Sequence, residues 1–371
     1  MKTVQMKSDV TNSLLGFGCM RFPTKNDKID RELTAQMLEY AYEHGITHFD
    51  TAYPYHDGES EIFLGEFLKR WDRKTFTLST KLPIWLVKKY EDFEYYLDEQ
   101  LKRLQTDYLD FYLLHALNKE RWEIAVNNNI FQFFKEAKEK GKVRYIGFSY
   151  HDDKDTYQKI GNSYDWDFCL QQINYIDYDK QQGIEGYELM AKRNIPVWVM
   201  EPLKGGNLAN LSSDITAEFK KVRPDDSCAK WAFRYVHTLP GVKLILSGMS
   251  SLEQVIENIK IFENIEPLND IEMQTIAKVR DMINKRIKIP CTGCNYCLPC
   301  PNGVEIPKNF KIYNNAYMYN NLNAGKYNYK FMLKEEEKAV NCIECRECVG
   351  KCPQQLDIPN LLEEVKMNIG E

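Results

Sequence analysis

The sequence has no long apolar run, no surplus of positive charge and, over its first 290 residues, only three cysteines. Each scarcity removes a class of function. Without an uninterrupted apolar stretch of about 20 residues there is no candidate for a membrane-spanning helix. Lys and Arg total 49 against 54 Asp and Glu, a net charge of -5. That balance gives no global pull toward nucleic acid or an anionic lipid surface. Met1–Val10 is polar and holds no apolar signal core, which predicts a cytoplasmic protein. Low-complexity segments are missing too. A reducing cytoplasm disfavours structural disulfides, so cysteines that do cluster there point to metal.

What is present reads as two domains. Hydrophobic residues make up 43% and charged residues 28%, the balance of a globular chain with a sizeable core. From Leu14 to about Glu263, short β-branched runs alternate with longer segments of helical period. Strands are predicted near Leu14–Cys19, Ile46–Asp50, Thr75–Lys81, Tyr108–His115, Val143–Ser149, Phe168–Asn174, Pro196–Met200 and Lys243–Ser247. Arg31–His44 shows the intervening texture: Leu33, Met37, Leu38 and Ala41 share one helical face, and Gly45 ends the helix. Eight such units fit a closed (β/α)₈ barrel. The rival is an open doubly wound sheet, which calls for G-x-G-x-x-G and a helix after an early strand. Gly16-Phe17-Gly18-Cys19-Met20-Arg21 lacks the third glycine and the following helix. After Asn264 the texture changes. A helix is predicted at Asp270–Arg286, a helical stretch at Asn309–Met332 and a closing helix at Ile358–Met367.

Eight of the eleven cysteines lie in two runs in this last segment. Cys342, Cys345, Cys348 and Cys352 precede Pro353 in the order C-x₂-C-x₂-C-x₃-C-P, the bacterial ferredoxin pattern for a 4Fe–4S cubane. Cys291, Cys294, Cys297 and Cys300 precede Pro301, with the last gap one residue shorter. In ferredoxins the fourth cysteine crosses to the other cluster. By that resemblance one cluster takes Cys291, Cys294, Cys297 and Cys352, and the other takes Cys342, Cys345, Cys348 and Cys300. The rival is a pair of Cys₄ zinc sites. Three consecutive x₂ gaps and two Cys-Pro endings fit cubanes better. The scattered Cys19, Cys169 and Cys228 are expected to be packing residues. The predicted fold is α/β: a TIM barrel over residues 1–265, then a mostly helical ferredoxin-like iron–sulfur domain over 266–371.

Chemistry in such barrels sits at the C-terminal strand ends. There the predicted strands place Asp50, with Tyr55 shortly after it, Lys81 and His115. A phenol with a pKa near 10 is a poor acid at neutral pH, and a neighbouring ammonium favours its phenolate. Asp50 would hold that ammonium, and His115 could orient a carbonyl oxygen. Together they can protonate an oxyanion as a hydride arrives at carbon. Singly, each is more often a rim charge or a satisfied core group; four on successive strand ends are read as a set. His56 is a further titratable group beside them, as a substrate contact or a plain loop residue.

Phe49-Asp50-Thr51-Ala52 with Tyr55, then Glu59-Ser60-Glu61 and Leu64-Gly65, Lys81, His115 and Gly141-Lys142-Val143-Arg144-Tyr145-Ile146-Gly147-Phe148-Ser149 resemble the aldo-keto reductase signature. With the cysteine module, the chain resembles the subgroup of that family fused to a dicluster ferredoxin domain. The resemblance implies a nicotinamide cofactor, NAD(P)H, with Tyr55 as general acid, Lys81 and Asp50 as its tuning pair and His115 as the orienting group. It places Ser149 and Gln172 at the carboxamide and Pro202-Leu203-Lys204-Gly205-Gly206 at the pyrophosphate. Glu257 and Asn258 fall at the adenine, and Gly18 and Met20 among the cofactor contacts. It also marks departures: Tyr150 stands where Asn usually follows the serine, and Met200 where a ring-stacking Tyr is usual. Gly248 and Gln254 replace the Lys and Arg that clamp a 2′-phosphate.

The leading expectation is an oxidoreductase that reduces an aldehyde or ketone, or oxidises the alcohol, with the clusters for electron transfer. Nicotinamide moves two electrons and a cubane one, so exchange between them normally needs a flavin. A second reading is therefore a ferredoxin-linked enzyme with a flavin or modified site in the barrel. The partner would be ferredoxin or another redox protein. A third makes the clusters structural or redox-sensing. The substrate is not legible, because pocket loops vary within a fold.

Overall fold

Short strands with inward-facing residues at every second position close into a barrel. The computed structural model describes residues 1–179, 181–291 and 293–370. Its strands are β1 (Thr3–Lys7), β2 (Val10–Ser13), β3 (Leu15–Gly18), β4 (Thr24–Lys25), β5 (Lys28–Ile29), β6 (His48–Asp50), β7 (Thr77–Leu82), β8 (Leu109–Leu117), β9 (Val143–Tyr150), β10 (Phe168–Gln172), β11 (Val197–Met200) and β12 (Val242–Gly248). The closed barrel runs β3-β6-β7-β8-β9-β10-β11-β12, and β12 returns to pair with β3. All eight predicted strands are present, with no end shifted by more than two residues. The helix Arg31–Glu43 starts where the Asp30 carboxylate accepts from the Leu33 N–H and stops before Gly45 at φ 91°, the left-handed terminator that glycine supplies.

Two hairpins were not foreseen, β1–β2 and β4–β5. The first closes the barrel floor: Met6 and Val10 pack with Phe111, Leu113, Phe168, Leu170, Trp198, Leu244 and Leu246. The strand-start rings fill the interior, with Phe168 and Trp198 stacked at 4.1 Å and Phe111 edge-on to Trp198 at 4.8 Å.

His48 is sealed above this floor, fully buried and edge-on to Trp198 at 4.9 Å. Its ring nitrogens lie 2.8 Å from Thr77 Oγ1 and 3.0 Å from Ser79 Oγ. Burial first, and the Lys81 charge second, bring its pKa down to about 3. An unfolded imidazole titrates near 6.5, so below that pH the unfolded chain binds the proton that the native site refuses. The contribution is whole above about pH 6.5 and drains as pH falls toward about 3. By pH 4.5 the loss should be about 2–3 kcal/mol, at about 1.4 kcal/mol per pH unit. Denaturant unfolding of wild type and His48→Gln at pH 7 and 4.5 checks this. Wild type should lose more stability across the interval, and equal losses would refute the assignment.

The chain divides into two compact units, residues 1–208 with 229–269, and residues 209–228 with 270–371. In the second, the predicted stretch Asn309–Met332 is two helices, Ile306–Met318 and Leu322–Met332. The break comes at Asn320 and Asn321: Asn320 takes φ 51°, and the Asn321 side chain caps the next helix at the Ala324 N–H. With Ile358–Ile369 they bury Ile306, Phe310, Tyr313, Tyr329, Leu362, Val365 and Ile369 as one core. Asp270–Asn284 is the predicted helix, tied to the 209–228 segment by Arg223–Glu272 at 2.6 Å and Lys278–Glu218 at 2.7 Å. Among the described residues no helix is long and apolar enough to cross a membrane.

Candidate functional site

Alternation along β6 and β7 turns His48 and Asp50, Ser79 and Lys81 into the barrel. There they form a hydrogen-bonded column. Ser79 Oγ donates to Asp50 Oδ1 at 2.6 Å, so its oxygen is left to accept from His48 Nε2. Lys81 Nζ donates to Asp50 Oδ2 and to the Thr51 carbonyl, both at 2.6 Å, and lies 4.9 Å from the centre of the Tyr55 ring. Lys81 and Asp50 are 1% and 3% exposed, so this is an ion pair taken out of water. Burial works against the ammonium, but Asp50 and then Tyr55 outweigh it and hold the Lys81 pKa above its usual value.

Tyr55 opens the turn Tyr55–Gly58, in which His56, Asp57 and Gly58 take φ of 51°, 54° and 91°. Left-handed backbone costs about 1–2 kcal/mol for each non-glycine residue. The turn is pinned by His56, stacked on Phe22 at 5.8 Å. Burial is also the largest influence on Tyr55 and raises its pKa; the Lys81 charge pulls it down, and Asp50 adds to the rise. The expected ammonium effect is therefore present, but burial outweighs it. The phenol holds its proton at neutral pH.

His115 comes from a bulge. β8 and β9 pair in register through Leu114–Phe148, then resume at Leu117–Tyr150, leaving His115 and Ala116 opposite Ser149 alone. Such an extra residue re-aims a side chain at a strand end. Ala116 takes φ 48°, and its N–H donates to Ser149 Oγ at 2.6 Å. The His115 ring stands edge-on to Tyr55 at 5.9 Å and lies 5.2 Å from Trp85. Burial, then the charges of Lys81, His151 and Arg121, keep its pKa well below the ordinary value. It is a neutral imidazole with one N–H to give.

The other rim residues follow around the barrel. Gly18 ends β3, with the exposed Met20 just beyond it. Ser149 and Gln172 sit at the ends of β9 and β10. After β11 and the half-buried Met200 come Pro202, Leu203 and then Lys204, Gly205 and Gly206 at φ 47°, 66° and 94°. A Cβ on Gly206 would meet nothing within 4 Å. Gly248 ends β12, and its ideal Cβ would strike the Arg21 side chain at 2.9 Å. On helix Leu252–Glu263, Glu257 is exposed, while buried Asn258 donates to Ser247 Oγ at 3.1 Å.

The cysteine runs interleave. One cavity is lined by Cys291, Cys294, Cys297 and Cys352, with Phe310, Leu356 and Ile358. Another takes Cys300, Cys342, Cys345 and Cys348, with Cys297, Ile306, Pro359 and Leu362. Each cavity thus draws cysteines from both runs. Burial is the main force raising the Cys297 thiol to about 11, with Cys291, Cys294 and Cys348 adding to it. Thiolates so crowded need a cationic centre, and the donor set fits an iron–sulfur cluster. Among the described residues no group of three or more His, Cys, Asp or Glu is placed to hold a single metal ion. Cys19, Cys169 and Cys228 are buried and unbridged.

Several members of the site carried no mark in the sequence reading. His48 and Ser79 had a usable signal, since each lies two residues before a rim residue on the same strand. Arg21, paired with Glu201 at 3.2 Å, and Asp177, paired with Lys204 at 2.6 Å, had none. Both pairs join loops far apart in sequence.

Comparison with known proteins agrees with this geometry. Residues 14–281 match the model of the aldo/keto reductase family, and residues 290–356 that of the 4Fe-4S dicluster domain. The NADH-specific methylglyoxal reductase of Escherichia coli is 27% identical over 298 residues, spanning 68% of this chain and 90% of that protein. L-galactose dehydrogenase of Arabidopsis thaliana is 25% identical, over 73% of this chain and 90% of its own length. A solved aldo-keto reductase of Bacillus halodurans, in its holo form, superposes with a TM-score of 0.63 at 26% identity, covering 75% of this chain and 96% of that one. With the family model matching nearly three quarters of its length, over an eight-stranded barrel, this chain belongs to the aldo/keto reductase family and carries a C-terminal 4Fe-4S dicluster domain.

Proposed function

We propose that this chain is a cytoplasmic carbonyl reductase, or alcohol dehydrogenase, that uses a nicotinamide dinucleotide, and that its C-terminal module holds two 4Fe–4S clusters. The observation that carries the reading is the buried Lys81–Asp50 pair at 2.6 Å beneath the Tyr55 ring, with neutral His115 edge-on to that ring. A bound reduced nicotinamide supplies the hydride. The chain's own residues do the rest. His115 donates a hydrogen bond to the carbonyl oxygen and aims it. Tyr55 gives its proton to that oxygen as negative charge builds there, and Lys81 stabilises the phenolate left behind. Asp50 and the Thr51 carbonyl keep Lys81 charged and in place. Ser149 already accepts from Ala116, so its hydroxyl hydrogen is left to donate to a carboxamide oxygen.

Gly248 and Gln254 offer no cation to a 2′-phosphate, which favours NADH. With a methylglyoxal reductase among the relatives, a 2-oxoaldehyde is the first substrate to try. Anaerobic protein should consume NADH in its presence. A protein that binds neither NADH nor NADPH, and oxidises neither with any carbonyl tried, would overturn the reading.

The paired four-cysteine cavities favour a second element, electron exchange with ferredoxin or a similar protein, through a flavin if one binds. Anaerobic mixing with substrate alcohol and NAD(P)⁺, or with reduced ferredoxin, should give reduced-cluster signals in electron paramagnetic resonance. A flavin would add its own visible bands. If neither mixture reduces the clusters, and a variant with its cluster domain disrupted and barrel intact keeps full carbonyl reduction, the clusters are structural.

A further inference from the structure

Asp177 lies in the loop after β10, five residues past Gln172, and is 8% exposed. Its carboxylate gathers three side chains. Gln172 Nε2 donates to Oδ2 at 2.7 Å, and Asn174 Nδ2 to the same oxygen at 2.9 Å. Lys204 Nζ donates to Oδ1 and Oδ2 at 2.6 and 2.7 Å. Asn174 extends the tie, with its Oδ1 accepting from the Ile176 and Asp177 N–H groups and its Nδ2 reaching the Glu201 carbonyl at 3.2 Å. Burial alone would raise the Asp177 pKa, but Lys204 first, then Asn174 and Gln172, bring it below the ordinary value. The group is a carboxylate at neutral pH, able only to accept.

That has a consequence for Gln172. An amide can present either its oxygen or its NH₂, and the two are nearly equal in shape. A carboxylate neighbour settles the choice: the NH₂ turns to Asp177, and Oε1 remains as the acceptor. The same carboxylate holds Lys204, whose φ of 47° begins the left-handed run through Gly205 and Gly206. Released from Asp177, a non-glycine residue in that conformation has reason to relax.

We infer that Asp177 is a positioning residue that fixes the Gln172 amide as an acceptor for a carboxamide N–H and, through Lys204, holds the loop 202–206 in its binding shape. The inference rests on the nicotinamide reading above. It gives the site selectivity for a carboxamide over a carboxylate on the pyridine ring, because Oε1 repels a carboxylate and an NH₂ would attract it.

The test uses the full chain and two reduced dinucleotides, NADH and its nicotinic acid analogue, with binding followed by fluorescence. Wild type should prefer the carboxamide by about tenfold or more, the worth of one hydrogen bond exchanged for a repulsion. In Asp177→Asn the neighbour can donate, the Gln172 amide can flip, and the preference should fall to about twofold or less. NADH should bind about tenfold or more weakly, kcat at saturation should change far less, and Asp177→Glu should restore part of the preference. Inhibition by adenosine, which carries neither nicotinamide nor phosphate, should be unchanged. Wild type that binds no reduced dinucleotide overturns the nicotinamide reading, and the inference with it. Wild type that binds NADH, beside a folded Asp177→Asn with the same preference, overturns the positioning role alone. A general loss that weakens adenosine equally does so too.

Discussion

Tyr55→Phe should lower carbonyl turnover by about 10²–10⁴, the loss that follows removal of a positioned proton donor. In free energy that is about 3–5.5 kcal/mol on the barrel's reaction barrier. The substitution removes one oxygen and leaves the ring, so its contacts with His115 at 5.9 Å and Lys81 at 4.9 Å survive. Dinucleotide affinity should stay near wild type, because the groups assigned to it lie at the end of β3 and on β9 to β12 with the segments that follow them, and Tyr55 is not among them. The Tyr55 pKa lies above the ordinary phenol value, so reduction by wild type should fall only on the alkaline side, and that limb should vanish in the variant. Lys81→Met should be as severe for turnover, but it also strands the buried Asp50 carboxylate, a defect of about 3–5 kcal/mol in stability. Its loss of rate counts only beside a thermal melt showing a folded protein. Near wild-type turnover in folded Tyr55→Phe would refute the assignment outright.

Why the tetrad was legible while its support was not comes down to range. Asp50, Lys81 and His115 each sit at the end of a predicted strand, and period-two alternation fixes which way Asp50 and Lys81 face. The turn that brings Tyr55 back over Lys81 was readable only through the family likeness. Its left-handed His56 and Asp57 have no sequence signature of the kind glycine provides. The bulge that aims His115 is likewise silent, since it arises from how β8 and β9 register. Asp177–Lys204 and Arg21–Glu201 are further removed still: the first joins the loops after the paired strands β10 and β11, and the second two loops brought near by closure of the barrel. The sign of the Tyr55 shift was misjudged for a related reason. A sequence shows which charges are near, but burial, the larger effect at this phenol, belongs to the packed structure. In the C-terminal unit the cysteine spacing announced the chemistry early, whereas the division of the helical stretch at Asn320 rested on one left-handed residue.

Anaerobically prepared protein should contain about eight iron and about eight sulfide per chain, four of each for a cubane. Two zinc ions and no sulfide would sink the cluster reading. The pairing of ligands makes a sharper expectation. Cys352 belongs by sequence to the second run but lines the cavity of Cys291, Cys294 and Cys297. Cys300 ends the first run and lines the cavity of Cys342, Cys345 and Cys348. Replacing any one thiolate should cost its own cluster, about four of the eight irons. Mutations that strike one cluster should then not add, while those that strike different clusters should. Cys352→Ser combined with Cys297→Ser should keep about half the iron, as each single variant does, whereas Cys352→Ser combined with Cys345→Ser should keep almost none. If each run instead held its own cluster, the second pair would keep half and the first would lose all. Because the two schemes predict opposite outcomes for the same two double variants, a metal analysis decides between them even if both singles lose some stability. Ile306 and Phe310 of the shared core, together with Ile358, line these cavities. Loss of either cluster should therefore also lower the melting temperature of the C-terminal unit, since metal bound only by the native state is folding free energy.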